Sequence, residues 1–173
     1  MSSEGGFDLQ PTLYGELVAV RPLREDDLDG LYAAARDPLI WEQHPDERWR
    51  EEVFRAFFAE HLATGGALAV LNASSGEIIG TSRYHGYDRD RREVEIGWTF
   101  LARAYWGGVH NCELKRLMLE HAYRFVDRVI FVVAPGNLRS QRAVEKLGAV
   151  RAGTRYDHLR GERLVFELRR PQD

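Results

Sequence analysis

The chain is predicted to fold as an α/β domain, α+β in some schemes, on a mixed and mostly antiparallel sheet of about seven strands with about four helices on both faces. Three observations predict it. Strand-like and helix-like patterns follow one another in the order β-α-α-β-β-β-α-β-α-β-β, which calls for a sheet covered on both sides. One short run, VIFVVA at 129–134, is β-branched and apolar and stands between two amphipathic helical stretches, as a central strand buried on both sides does. No repeat and no Pro/Gly/Ser linker divides the 173 residues, so one core is expected.

The amino terminus, MSSEGGFDLQ, has neither a basic patch nor an apolar stretch, which excludes a signal peptide. Residues 1–14 read as a flexible lead-in to a domain over 15–173. ELVAVRPL (16–23) reads as the first strand. REDDLDGLYAAARD follows, with acidic residues in its first turn and Leu28, Leu31, Tyr32 and Ala35 at helical spacing. A second helix is predicted from about Asp46 to Ala63, where Trp49, Val53, Phe57, Phe58 and Leu62 recur on one face before a Thr-Gly-Gly stop. Between these helices DPLIWEQHP is irregular and aromatic, the kind of loop that covers a site.

ALAVLN (67–72) and IIGTSRYHGY (78–87) flank the turn ASSGE as a strand-turn-strand pattern. REVEIGWTFL (92–101) alternates strictly, with Val94, Ile96, Trp98 and Phe100 on one face and Glu93, Glu95, Gly97 and Thr99 on the other. A third helix runs from about His110 to Val126, with Leu114, Leu117, Met118, Ala122 and Phe125 spaced by threes and fours. After VIFVVA, Asn137 stands as an N-cap, the helix LRSQRAVEKL follows, and Gly148 ends it. Two last strands, about Val150–Tyr156 and Arg163–Arg169, flank the polar turn DHLRGE.

Composition narrows the function classes. Hydrophobic residues at 44% and charged residues at 29% belong to a globular chain. No apolar run approaches the ~20 residues that span a bilayer, and a formal net charge of -3 gives no broad attraction to nucleic acid or anionic lipid. The single cysteine, Cys112, excludes an internal disulfide and reads as a small helix-packing residue or a reactive thiol; with no export signal, a cytoplasmic location is expected. His110 and His121 show no metal-ligand spacing, so no metal is expected.

Two stretches carry chemistry. In LARAYWGGVHNCELKRLMLEHAYRF a strand ends, Gly107 and Gly108 intervene and a helix begins. The first N–H groups of a helix are unpaired and lie at the positive end of its dipole, and glycines let an anion approach them; the same pair also serves as an ordinary connection. In VIFVVAPGNLRSQRAVEKLGAVRAG a buried strand leads into an Asn-capped helix.

The segments EIGWTFL, GGVHNCE and NLRSQRAVEKLGA, in this order, resemble the GNAT superfamily of acetyltransferases, and within it the branch of ribosomal-protein N-terminal acetyltransferases, over roughly residues 15–170. The resemblance implies acetyl-CoA as cosubstrate and a primary amine as acceptor, in a small molecule, an amino-terminal residue or a lysine. It implies that the backbone of Phe100 and Leu101 pairs with the pantetheine arm, that Gly107, Gly108, Val109, His110 and Asn111 hold the diphosphate, and that Asn137 faces the thioester end. Ala104 and Val109 depart from the family's loop pattern, where a basic or amide residue and a small residue stand. Arg103, one position earlier, offers a substitute charge or a solvated one. The tyrosine that many members place seven residues after the Asn is Val144 here. In the ribosomal-protein branch a serine three residues after the Asn takes the suitable place, so the resemblance implies Ser140 as candidate acid; its hydroxyl also suits a bond within the first helical turn. A weakly basic thiolate can also leave without a dedicated acid. Glu95 and Glu93, which share a strand face, are the candidate bases, or edge charges paired with Arg83, Arg91 or Arg92. Trp41, His44, Tyr84 and His85 are candidate acceptor-site residues, or packing or surface residues. The expected activity is direct attack of an amine on the thioester; the alternative is a CoA-binding regulatory module with little turnover. The quaternary state, a homodimer included, stays open.

Overall fold

A computed structural model describes residues 6–172 of the protein. The elements are β1 (Leu13–Tyr14), β2 (Val18–Pro22), α1 (Leu28–Ala35), α2 (Glu51–Ala63), β3 (Ala67–Asn72), β4 (Ile78–Asp88), β5 (Glu93–Leu101), α3 (Val109–Ala122), β6 (Arg128–Val133), α4 (Leu138–Lys146), β7 (Val150–Asp157) and β8 (Gly161–Arg169). The strands form one 8-stranded sheet in the order β1-β2-β3-β4-β5-β6-β8-β7. Every neighbouring pair is antiparallel except β5 and β6, which are parallel. Among the described residues no helix is long and apolar enough to cross a membrane.

The strand beyond those expected is β1, which pairs Leu13 with Val20 and Tyr14 with Ala19. It falls in the stretch read as a lead-in. Residues 1–5 of that stretch lie outside the described residues, and the remainder is packed rather than loose. Phe7 is buried, its ring edge-on to Tyr84 and Phe125 at 5.0 and 5.1 Å between centroids. His121 Nε2 donates to the Asp8 carbonyl at 2.8 Å, and Gln10 Nε2 donates to the Ala67 carbonyl at 2.9 Å. One aromatic in a polar stretch has no period, so sequence pattern does not report it.

Side-chain alternation builds two cores. In β3, Leu68 and Val70 point to one face and Ala67 and Ala69 to the other. The larger residues join Val18, Val20, Ile79, Val94 and Ile96 beneath Leu114, Met118 and Ala122 of α3. On the opposite face the alanines leave room for Leu31 of α1 and for Phe54, Phe57 and Phe58 of α2. Two helix boundaries differ from expectation. α2 starts at Glu51 because residues before it are held in turns, with His44 Nδ1 accepting the Asp46 N–H and the Glu47 carbonyl accepting the Arg50 N–H, each at 3.0 Å. α3 stops at Ala122, whose carbonyl then takes the N–H groups of Phe125 and Val126.

The strict alternation expected of β5 fails at Trp98. Its φ of +55° makes a bulge, and the register with β4 passes from Thr81↔Phe100 to Arg83↔Gly97. A bulge sets two residues against one and so reverses the facing of the residues beyond it. Val94 and Ile96 lie in the α3 core, whereas Trp98 and Phe100 pack with the α1–α2 core. Thr99 consequently meets Lys115 of α3.

If Phe7 anchors the amino-terminal segment, Phe7→Ala should lower the unfolding free energy by about 3 kcal/mol in a urea titration. A loss below about 0.5 kcal/mol would show the segment to be dispensable.

Candidate active site

The parallel pair β5 and β6 is hydrogen-bonded over only three register pairs, Glu93↔Arg128, Val94↔Val129 and Glu95↔Ile130. β5 then runs on to Leu101 and β6 to Val133 without pairing with each other. The bulge at Trp98 bends β5 away where the pairing ends. The strands thereby open a cleft of about 710 Å³, closed at its sides by the loop before α2, the starts of α3 and α4, and the β7–β8 turn.

One end of the cleft is built for an anion. Gly107 and Gly108 have φ of +121° and +101°, conformations that glycine adopts readily, and no atom lies within 4 Å of where a Gly107 Cβ would stand. The Cys112 N–H donates to the Gly108 carbonyl at 2.8 Å, while the N–H groups of Val109, His110 and Asn111 have no backbone acceptor among the described residues. Lys146, near the end of α4, brings Nζ to 3.0 Å from the position of a Gly108 Cβ and adds a cation there. The helix start is pinned from behind, since the Glu113 carboxylate accepts the N–H groups of Leu17 at 3.0 Å and Val18 at 3.3 Å.

A family model for the acetyltransferase (GNAT) domain matches residues 18–150. The chain belongs to the GNAT acetyltransferase family. A probable GNAT-family acetyltransferase from Chromobacterium violaceum superposes with a TM-score of 0.82 over 98% of this chain and 92% of that one, at 21% identity. A putative acetyltransferase from T. thermophilus gives 0.74 over 91% and 88%, at 29% identity. Mycobacterium smegmatis RimJ, solved in complex with CoA-disulfide, gives 0.67 over 92% and 88%, at 18% identity. No curated protein sequence matches the chain. The mostly antiparallel sheet with four helices is the GNAT fold, and the protein is an acyltransferase. The GNAT family uses acetyl-CoA.

The residues present fit that cosubstrate. The free N–H groups beside Gly107, Gly108 and Lys146 suit a diphosphate, and the unpaired edge of β5 suits an extended arm. Phe100 and Leu101 end that edge, although the Leu101 carbonyl already accepts the Trp106 indole N–H at 2.9 Å. Two residues expected at the diphosphate lie elsewhere by side chain. Val109 is 62% exposed and does not line the cleft, and Arg103 is ion-paired to Asp37. His110 packs edge-on to Tyr105 at 5.1 Å, while Asn111 lines the cleft.

At the other end the two glutamates of the GNAT strand part company. Glu95 lines the cleft, and burial pushes its carboxyl up to about 7 against the pull of Arg160, Arg155 and Arg83. Among the described residues it has no hydrogen bond or ion pair. Glu93 does not line the cleft; its carboxylate sits 3.1 Å from Arg128 Nε and 3.3 Å from Arg155 Nη2. Partners other than the arginines expected thus engage it. Asn137 Oδ1 accepts the Ser140 N–H at 3.2 Å as an N-cap, and both residues line the cleft. The Ser140 hydroxyl has no protein partner among the described residues.

Of the acceptor-site candidates, Trp41 and His44 line the cleft and meet edge to face at 5.3 Å. Burial first, and Arg48 next, press His44 down to about 4, so the ring is neutral at pH 7, with Nδ1 accepting and the proton on Nε2. His85 is exposed and reaches the cleft only through Trp98, 5.1 Å away. Tyr84 is 1% exposed and donates to the Met118 carbonyl in the α3 core, away from the cleft. Strand alternation explains the difference, because neighbouring residues of β4 point to opposite faces.

Lys115 was not among the residues singled out by sequence. It is 4% exposed, lines the cleft from α3, and its Nζ donates to Thr99 Oγ1 at 2.8 Å and Asn111 Oδ1 at 3.4 Å. Among the described residues no carboxylate meets it, and burial lowers its ammonium to about 7. Its neighbour Leu114 and Met118, three residues on, both belong to the apolar stripe, and a lysine inside such a stripe is the signal that was available.

The raised carboxyl of Glu95 makes a stability prediction. Its folded value of about 7 stands above the ordinary 4.5, so the neutral acid contributes fully below pH 4.5 and the contribution is lost as pH rises to 7. Glu95→Gln should therefore gain on the wild type across that window and level off above it at about 3 kcal/mol in denaturant titrations. A pH-independent difference would contradict the assignment.

Proposed function

We propose that the protein transfers the acetyl group of acetyl-CoA to a primary amine by direct attack on the thioester, with Glu95 as general base. The carrying observation is a buried carboxylate without partners, poised near neutrality, in the cleft where β5 and β6 part. An amine arrives as an ammonium and must lose a proton to attack; a base with an affinity near the working pH serves best. In this reading the N–H groups of residues 109–111, with Gly107, Gly108 and Lys146, hold the diphosphate, and the β5 edge to Phe100 and Leu101 aligns the pantetheine arm. Trp41 and His44 shape the acceptor pocket. As the C–S bond breaks, the departing sulfur takes a proton from Ser140, whose free hydroxyl supports that role, and Glu93 keeps its ion pairs. The cytoplasm, expected from the sequence, is the location this reading adopts.

Thermal unfolding with acetyl-CoA, CoA and ATP at equal concentration tests the cosubstrate. A ligand at 100 times its Kd adds about 2.7 kcal/mol, so both CoA species and not ATP should raise the midpoint. Turnover on a panel of primary amines should rise with pH through about 7 and flatten above, since the base acts unprotonated. Glu95→Gln should lose about 10²-fold or more in rate and the pH step with it, while keeping the CoA shift. Full activity in Glu95→Gln would remove Glu95 as base, and a CoA shift with no turnover would favour a regulatory CoA-binding module.

A further inference from the structure

The acceptor end of the cleft carries an unusual tally of charge. Besides Glu95 it is lined by Asp46, Arg48, Arg160 and Arg163. Most charges at this end are engaged within the protein. Arg48 Nη2 lies 3.1 Å from Asp46, Arg160 Nε 3.0 Å from Asp157, and the buried Arg83 Nη1 3.3 Å from Glu60. Glu93 is held by Arg128 and Arg155.

Two groups remain. Glu95 is a carboxylate with no cation in contact, and Arg163 is a guanidinium with no hydrogen bond or ion pair, both among the described residues. Arg163 is half-buried, and across the β7–β8 pair it stands directly opposite Arg155, so a like charge faces it where a partner would ordinarily be found. It lines the same cleft as His44, whose imidazole is held neutral chiefly by burial, then by Arg48, with Arg163 adding a smaller push in the same direction. A half-buried cation of this kind, opposed by another, calls for an anion from outside.

We propose that the acceptor is a zwitterionic amine, whose nitrogen meets Glu95 and whose anionic group, a carboxylate or a phosphate, pairs with Arg163. The inference rests on the acetyl-transfer reading and names its substrate class. One unpaired carboxylate and one unpaired guanidinium in the same cleft complement a molecule carrying both charges. A planar fork of donors also matches a carboxylate or phosphate in two-point contact. Trp98, over which the Arg83 guanidinium lies at 3.5 Å, and Trp41 supply the apolar walls. The acetylation itself needs no further reactant: the C–N bond forms, the C–S bond breaks, Glu95 takes the proton of the amine and the sulfur leaves as the thiol.

The test uses matched pairs with acetyl-CoA, following thiol release: the proteinogenic amino acids against their amides, and phosphoethanolamine against ethanolamine. The amino-acid and phosphoethanolamine arms separate carboxylate from phosphate as the preferred anion. The wild type should acetylate anionic members, and Arg163→Gln should lower kcat/KM for them by about tenfold or more while changing the uncharged partners less than about threefold. Arg163→Lys, which keeps the charge, should recover part of the preference. Because Arg163 has no protein partner to lose among the described residues and faces the like charge of Arg155, Arg163→Gln should not lower the wild-type unfolding midpoint and should keep the CoA shift. An equal loss for both members of each pair, faster turnover of uncharged members in wild type with no change in Arg163→Gln, or an intact CoA shift with no anionic amine acetylated would overturn the proposal. Absence of any CoA shift would instead overturn the acetyl-transfer reading beneath it.

Discussion

The cleft depends on one constraint, the parting of β5 from β6 after Glu95↔Ile130. Parallel strands held in register would leave no room between them, and every backbone group along that line would be paired. The bulge at Trp98 breaks the register on the β4 side and bends β5 on the β6 side. A tryptophan at φ +55° carries a conformational cost of about 1–2 kcal/mol. The cost is offset by packing: its indole lies against the Arg83 guanidinium and the His85 ring, on the face that the bulge has turned it towards.

From that parting the two ends of the cleft follow by topology. α3 is the crossover between the parallel strands, so its N-terminus must begin near the end of β5, with its unpaired N–H groups at the mouth of the cleft. α4 follows β6 and closes the opposite wall, which brings Asn137, Ser140 and Lys146 into range. Glu93, at the first pair of the β5–β6 stretch, is neutralised by Arg128 and Arg155, whereas Glu95, at its last pair, lines the opening. Two carboxylates on one strand face, two residues apart, thus have different environments.

Much of this was legible in the sequence wherever one period ran without interruption. β3, β6 and the Asn-capped α4 are such segments, and their order carried the fold and the GNAT resemblance. The bulge was not legible, because Val94, Ile96, Trp98 and Phe100 read as unbroken alternation while the backbone reverses beneath them. Tyr84 stayed open between an acceptor-site and a packing role because a strand face cannot be assigned before its register is known. Phe7 and β1 lie in a polar stretch whose order comes from distant partners, Tyr84, Phe125 and Val20, which no local pattern reports. In the sequence Arg163 is legible only as the start of the last strand; the pairing of β7 with β8 sets it opposite Arg155, and it lines the cleft.

Lys115 shows what holds the cleft open from below. A buried ammonium without a counter-ion is disfavoured, and the group responds by moving to about 7 rather than by finding a carboxylate. It persists because Thr99 has been turned towards it by the bulge, and Thr99 is in turn 2.8 Å from Ser82 on β4. Lys115 therefore ties α3 to the displaced half of β5, and a bulge without this polar partner would leave Thr99 facing an apolar helix. The positive-φ tryptophan, the partnerless acid and the desolvated lysine are each unfavourable alone. Trp98 and Glu95 lie at the point where β5 leaves β6, and Lys115 reaches it from α3 through Thr99. Their concentration at that point is what distinguishes this stretch of β5 as working structure rather than scaffold.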